Sequence, residues 1–286
     1  MAGGLKTILL AQLALGLVAC VARADGTGKH APVNGLQLYY EVHGLPRADR
    51  PPIVLLHGGG STIDTSFSKV LPILAKSRQV IAFDQQGHGR TDDVADRPFT
   101  FEQSADDAAA LLAYLRVDRA DFFGYSNGGS IALQVAIRHP KLVRKLVVAS
   151  AMFRRDGMTP GFWEGVKHAK LENMPPELRD AYLKVAPHPE QLQSMHDKCV
   201  KRMLEFADWP PEVIRSIDAP TLVLVGDADV VRPEHALETF RLLPHGRLAV
   251  FPGTDHMQMV DRFAEQCAMI ESFLDASIPE PSSQRK

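Results

Sequence analysis

Asp121-Phe-Phe-Gly-Tyr-Ser126-Asn-Gly-Gly-Ser130 runs from an apolar, strand-like segment, through a serine with glycine two places to either side, into a helical pattern. Gly124-Tyr-Ser126-Asn-Gly128 satisfies G-x-S-x-G. In a Gly-containing loop that motif arises by chance; between a strand and a helix it is the context a nucleophile elbow requires. The serine there occupies a strained turn that lifts its Oγ clear of the sheet, and strand and helix pass so closely that flanking positions must be small. Gly124, Gly128 and Gly129 meet that demand, so Ser126 is the candidate nucleophile.

Working outward, short apolar runs at 53–56, 79–83, 121–123, 145–149, 221–225 and 247–251 alternate with helical patterns. This spacing predicts a mostly parallel sheet with helices on both faces. Upstream, Leu36–His43 alternates after the turn signal Asn34-Gly35 and reads as a hairpin strand at a sheet edge. Thr100-Phe-Glu-Gln103 resembles a capping box, opening a helix with Ala108, Leu111, Leu112 and Leu115 on its apolar side. Beyond Ser150 the pattern turns to Met, Pro, His and charged residues, broken at Pro175-Pro176, Pro187, Pro189 and Pro210-Pro211. It contains no convincing strand, so 152–217 is expected to be a helical cap inserted between core segments 25–151 and 218–276. After Asp261 an amphipathic helix is expected to run to about 276, with a frayed tail over 277–286.

The 286 residues are 45% hydrophobic and 23% charged, enough for one large α/β domain with an insertion. A net charge of -2 gives no long-range attraction to phosphate backbones or anionic lipid, which sets nucleic acid aside and points to a small-molecule substrate. Lys6 leads into an apolar run from Thr7 to Cys20, which matches the h-region of an export signal and is too short for a transmembrane span. Ala22-Arg23-Ala24 before Asp25 fits small-x-small cleavage, giving a signal peptide over 1–24 and a periplasmic or secreted product. Leu17-Val18-Ala19-Cys20 also resembles a lipobox, which would anchor the protein by lipid at Cys20. A buried N-terminal helix is the weaker reading, since the run is apolar on all faces. Cys199 and Cys267 then remain. They could bond if their Cα atoms came within about 7 Å, but a domain of this size needs no staple and two buried free thiols are expected.

His57-Gly58-Gly59-Gly60 follows Ile53-Val-Leu-Leu56 directly. Backbone free of side chains at a strand end can turn an N–H, here that of Gly59, toward a developing oxyanion, and the N–H of Asn127 is its natural partner. The alternative is a flexible turn; a phosphate loop is set aside because no G-K-[ST] follows.

With these motifs the chain resembles the α/β-hydrolase superfamily over residues 33 to 275, including an Asp84-Gln-Gln-Gly-His-Gly-Arg-Thr91 element after the fourth strand. Gln86 stands where that family commonly has Arg, which removes a structural ion pair and puts the loop's rigidity in question. The resemblance implies an eight-stranded, mostly parallel sheet and a Ser-Asp-His order. It selects Asp229, three places after Gly226, as the acid, with Asp227 as a turn residue, and His256 as the base. His57 and His88 are expected to organise loops, and His168, His188 and His196 have no metal-site spacing. The implied chemistry is attack by Ser126 on a carbonyl, proton transfer through His256, and stabilisation by Asp229 and the two N–H groups, without cofactor or metal.

A nucleophilic serine argues against the epoxide hydrolases and haloalkane dehalogenases of the superfamily, which use Asp at the elbow. Hydrolysis of carboxylic esters of small molecules is favoured, because it is the commonest chemistry of this constellation and the cap is short. An enol-lactonase and a meta-cleavage C–C hydrolase remain open within the enzymes, as does a lipid-anchored lipase. From another class comes a hydrolase-fold ligand-binding or receptor protein, which has no need of a strained serine. Gly58, Tyr125, Met152 and Trp163 are candidate substrate contacts; Met152, Phe153, Phe162 and Trp163 could line an acyl pocket or simply fill the core.

Overall fold

An antiparallel hairpin begins the sheet. In a computed structural model that describes residues 27–277, β1 (Lys29–Val33) and β2 (Leu36–His43) pair across Asn34-Gly35, both at positive φ (49° and 80°). The expected signal peptide, its cleavage and lipobox positions around Cys20, and the tail beyond 277 lie outside the described residues.

The remaining strands are β3 (Ile53–Leu56), β4 (Val80–Phe83), β5 (Ala120–Tyr125), β6 (Val143–Ala149), β7 (Thr221–Gly226) and β8 (Gly246–Phe251). All eight form one sheet in the order β1-β2-β4-β3-β5-β6-β7-β8. β2 is antiparallel to both neighbours, and every pair from β4 onward is parallel. The expectation that Leu36–His43 forms the edge is corrected: β1 takes that place. Its sequence, Lys-His-Ala-Pro-Val, hides a strand behind two polar residues and a proline, and proline is tolerated in a sheet chiefly at an edge.

Both faces are covered. α1 (Ile63–Phe67) and α2 (Leu71–Leu74) follow β3, α3 (Phe101–Leu115) follows β4, and α4 (Asn127–Arg138) follows β5. Between β6 and β7 lie α5 (Phe162–Lys167), α6 (Pro176–Val185), α7 (Leu192–Leu204) and α8 (Pro211–Arg215); α9 (Pro233–Leu242) joins β7 to β8, and α10 (Met259–Glu265) and α11 (Cys267–Asp275) end the chain. The period-2 alternation of the buried strands divides the core. Val54, Leu56, Phe122 and Val148 pack with Leu111 of α3 and Ile131 of α4 on one face. Ile53, Leu55, Phe123 and Val147 pack with Phe67, Leu74, Phe263 and Ile270 on the other.

Thr100 caps α3 by accepting the Gln103 N–H at 3.0 Å. The single helix expected after Asp261 is instead two, beginning at Met259 and broken at Gln266, whose backbone (φ -103°, ψ 16°) leaves the helical region. Lys145, buried in β6, donates to the carbonyls of Phe273 (2.8 Å) and Leu274 (3.0 Å), satisfying the C-terminal end of α11. No described helix is long and apolar enough to cross a membrane.

Among the described residues between 150 and 220 there is no strand of the sheet. Met174, Tyr182, Leu192 and Met195 from this stretch form a separate small core with Phe99. α7 is tied back across the molecule by Lys198, whose Nζ lies 2.8 Å from both Asp93 Oδ2 and the Val94 carbonyl. Gln86 answers for the missing arginine with a neutral amide: its Nε2 donates at 2.9 Å to Asp93 Oδ1 and to the Arg97 carbonyl, and its Oε1 accepts from Arg97. The loop keeps its cross-links without the ion pair.

At the β5–α4 turn a Cβ on Gly128 would stand 1.9 Å from the Leu56 carbonyl oxygen, and one on Gly124 would stand 2.0 Å from that of Gly128. Backbone cannot yield as a side chain end can. Gly128→Ala is expected to cost about 3 kcal/mol or more, read as a lower urea midpoint; an unchanged midpoint would mean the close approach is not real.

Candidate active site

The turn that ends β5 puts Ser126 at φ 56°, ψ -124°, a conformation L-residues rarely adopt, and the next residue begins α4. The Ser126 N–H bonds the Ala149 carbonyl at 2.9 Å, so the strain is held by the neighbouring strand. His256 comes from the loop after β8. Its Nε2 lies 3.0 Å from Ser126 Oγ and its Nδ1 lies 2.7 Å from Asp229 Oδ1. The structure thus brings together the three residues singled out from the sequence, and it separates the two acid candidates. Asp227 instead accepts the Thr254 N–H at 3.2 Å, as a turn residue does.

Asp229 is buried, with a second bond from the Val231 N–H to Oδ1 (3.1 Å) and one from Ser150 Oγ to Oδ2 (2.5 Å). Burial acts to raise its pKa, but hydrogen bonds led by that of His256 outweigh it and hold the carboxyl below the ordinary range. Tyr125 stacks on the His256 ring (centroids 5.1 Å apart) and donates to the His256 carbonyl at 2.5 Å.

A cavity of about 360 Å³ opens over Ser126 and His256, lined also by Gly59, Asn127, Met152, Phe162 and Val231. A second, of about 400 Å³, meets it at Gly59, Asn127 and Met203 and extends under α6 and α7 against Met174, Met195 and Cys199. Asn127 is the first residue of α4, where backbone N–H groups have no intrahelical partner. A Cβ on Gly59 would stand 2.3 Å from Asn127 Nδ2, so a side chain there would have to push the Asn127 amide aside.

Of the candidate substrate contacts, Met152 lines the Ser126 cavity. Gly58, Tyr125 and Trp163 line neither cavity, and each for a visible reason. The Gly58 N–H is taken by Ser66 Oγ (3.3 Å). Tyr125 turns to His256, and Trp163 donates to the Arg155 carbonyl at 2.7 Å under the Arg155 guanidinium. Phe153 is fully buried and stacks on His235. Cys199 and Cys267 are both free.

Arg202 carries no local signal that sequence reasoning could use. Reaching inward from α7, it is only 4% exposed, and its Nε and Nη2 have no hydrogen-bond partner. The guanidinium lies over the rings of Phe101 and Phe99, with Nη2 3.3 Å from where a Gly59 Cβ would be. It has no ion pair with any described residue, and burial lowers its pKa. An unpaired buried charge is costly. Its neighbours are about 100 residues away in sequence, so no local pattern could have revealed it.

His57 and His88 organise loops. His57 accepts the Gln85 N–H at Nε2 (2.9 Å) and donates to the Gly58 carbonyl (2.8 Å). His88 donates to the Gln86 carbonyl, leaving Nε2 to accept the Cys199 thiol of α7 at 3.3 Å.

A family model described as the alpha/beta hydrolase fold matches residues 51–193. Among curated proteins, the chain is 28% identical to a 2-hydroxymuconate semialdehyde hydrolase from a Pseudomonas species over 244 residues, 78% of this chain and 86% of that one. It is 30% identical to a pimeloyl-[acyl-carrier protein] methyl ester esterase from Neisseria meningitidis over 256 residues, 81% and 79% of the two chains. The enol-lactonase of Burkholderia xenovorans superposes with a TM-score of 0.68 at 22% identity, covering 86% of this chain and 100% of that one. The chain belongs to the α/β-hydrolase fold family, and within it the protein is a hydrolase.

Two expectations follow from these groups. Asp229→Asn should slow labelling of Ser126 by a fluorophosphonate probe by orders of magnitude, while Asp227→Asn should change it little; the reverse order would transfer the acid role. Burial pushes His57 and His235 down from 6.5 to about 4, and His88 well below 6.5. The unfolded chain then binds more protons than the folded one, so stability is lost as pH falls from 6.5 toward 4. Asp84 and Asp121, raised by burial, oppose this in part. Urea midpoints over that range should fall; a flat profile would mean the imidazoles are not neutral and buried.

Proposed function

We propose that the protein hydrolyses carboxylic esters of small molecules through an acyl-enzyme on Ser126. The observation that carries this reading is the 3.0 Å and 2.7 Å relay from Ser126 through His256 to Asp229, set at the wall of an apolar cavity. His256 Nε2 takes the hydroxyl proton as Oγ attacks the carbonyl carbon, and Asp229 stabilises the imidazolium. The N–H groups of Gly59 and Asn127 hold the oxyanion; one such donor is worth about 2.7–4 kcal/mol of barrier. The same proton then goes to the leaving alcohol, and water repeats the sequence on the acyl-enzyme. Met152 supplies apolar contact. The methyl ester esterase relative supports the ester. Export is likewise a proposal, supported by Lys6, the apolar run at 7–20 and the Ala22-Arg23-Ala24 pattern after it.

A second reading, hydrolytic cleavage of a C–C bond, is favoured by one observation: the unpaired guanidinium of Arg202 lines neither cavity itself but stands directly behind Gly59, a wall residue of both, where it would suit a substrate that carries its own carboxylate. The Pseudomonas relative bears the name of such a semialdehyde hydrolase.

Both are tested on the parent, Ser126→Ala and Arg202→Met with p-nitrophenyl esters from acetate to decanoate and with 2-hydroxymuconate semialdehyde. Ester turnover lost in Ser126→Ala and largely retained in Arg202→Met is expected. Preferred turnover of the semialdehyde, lost about tenfold or more in Arg202→Met, would establish the second reading instead. No turnover of either, with Ser126 still labelled by fluorophosphonate, would overturn both in favour of a ligand-binding protein.

A further inference from the structure

Among the described residues, four that are not glycine have left-handed φ. Asn34 lies in the β1–β2 turn and Arg116 ends α3, both ordinary places for that conformation. The other two are serines at the ends of adjacent strands: Ser126 (φ 56°) after β5 and Ser150 (φ 51°) after β6. Glycine would adopt this backbone without strain, so a serine there calls for a use of its side chain. The first is the candidate nucleophile. The second is buried (3% exposed), faces the same cavity, and sends its hydroxyl to Asp229.

We propose that Ser150 is a positioning residue for the acid of the relay, its hydroxyl fixing the plane and charge of the Asp229 carboxylate that orients His256. The inference rests on the Ser126–His256–Asp229 reading and is independent of which substrate is cleaved.

The two oxygens of Asp229 are held differently. Oδ1 takes two donors, His256 Nδ1 and the Val231 N–H; Oδ2 takes Ser150 Oγ at 2.5 Å. The carboxylate side chain is fully buried, so its oxygens depend on protein donors. Without the hydroxyl, Oδ2 becomes a buried charged oxygen with no protein donor, and the carboxylate is free to turn about its Cβ–Cγ bond out of the imidazole plane. Ser130, lining the same cavity, shows what a merely satisfied hydroxyl does: on regular helix it donates to the Met152 carbonyl at 2.8 Å. Ser150 is instead turned off the strand toward a charge, while its own N–H stays bonded to the Leu224 carbonyl at 2.8 Å. Adjacent strands β6 and β7 therefore carry the donor and the acceptor on one rigid frame.

The hydroxyl also helps keep the buried carboxylate ionised, since its bond to Oδ2 acts to lower the Asp229 pKa.

The test uses fluorophosphonate labelling of Ser126, with kcat and KM on any p-nitrophenyl ester the parent turns over. Ser150→Ala should slow labelling and lower kcat roughly ten- to a hundredfold while leaving KM nearly unchanged. Ser150→Gly, relaxed at this φ, removes the hydroxyl without the strain and should do the same. Ser150→Thr keeps the hydroxyl and should recover most of the rate at a lower Tm. Parent-like rates in both Ala and Gly variants, whatever their stability, would overturn the inference alone. A parent chain that the probe leaves unlabelled would remove the relay reading first.

Discussion

The end of β3 and the start of α4 meet with no room for a side chain: a Cβ on Gly128 would stand 1.9 Å from the Leu56 carbonyl oxygen. Everything at the site follows from that contact. It presses α4 against the sheet, which forces the chain through the strained conformation of Ser126 and raises Oγ above the strand ends. It also sets the first residue of α4 beside Gly59, three residues past the end of β3, and both line the cavity over Ser126. A parallel sheet is suited to this, because consecutive strands deliver their C-terminal ends to the same edge.

Around that edge the chain concentrates groups that would be costly elsewhere. Two serines hold left-handed backbone, Asp229 is buried as a charge, and Arg202 is buried without a counter-charge. The first three answer one another through hydrogen bonds across β5, β6 and β7. Arg202 has no such answer within the described residues. It lines neither cavity itself, but stands beside Gly59, a wall residue of both.

Those helices are joined to the core by a few polar contacts. Lys198 reaches Asp93 and the Val94 carbonyl, and Cys199 meets His88. Both come from α7, the helix that also carries Arg202 and the Met203 shared by the two cavities. α7 is therefore the element through which a change in these helices is felt at Gly59.

Much of this was legible in the chain itself. The periods of the apolar runs foretold the parallel sheet, because strands buried on both faces must be apolar throughout, as β3 and β7 are. G-x-S-x-G between strand and helix located Ser126, because only small residues survive the close approach there. Strand β1 escaped, since an edge strand needs little apolar patterning, and the break at Gln266 carries no glycine or proline to announce it. Asp229 and Asp227 differ by two residues and were told apart only by family resemblance; the fold separates them by which one faces His256. Arg202 beside Gly59, and Ser150 on Asp229, could be decided by tertiary structure alone. Their partners lie about 80 residues away or more, and the meaning of a buried charge or a left-handed serine depends on what the fold places against it, which no local spacing encodes.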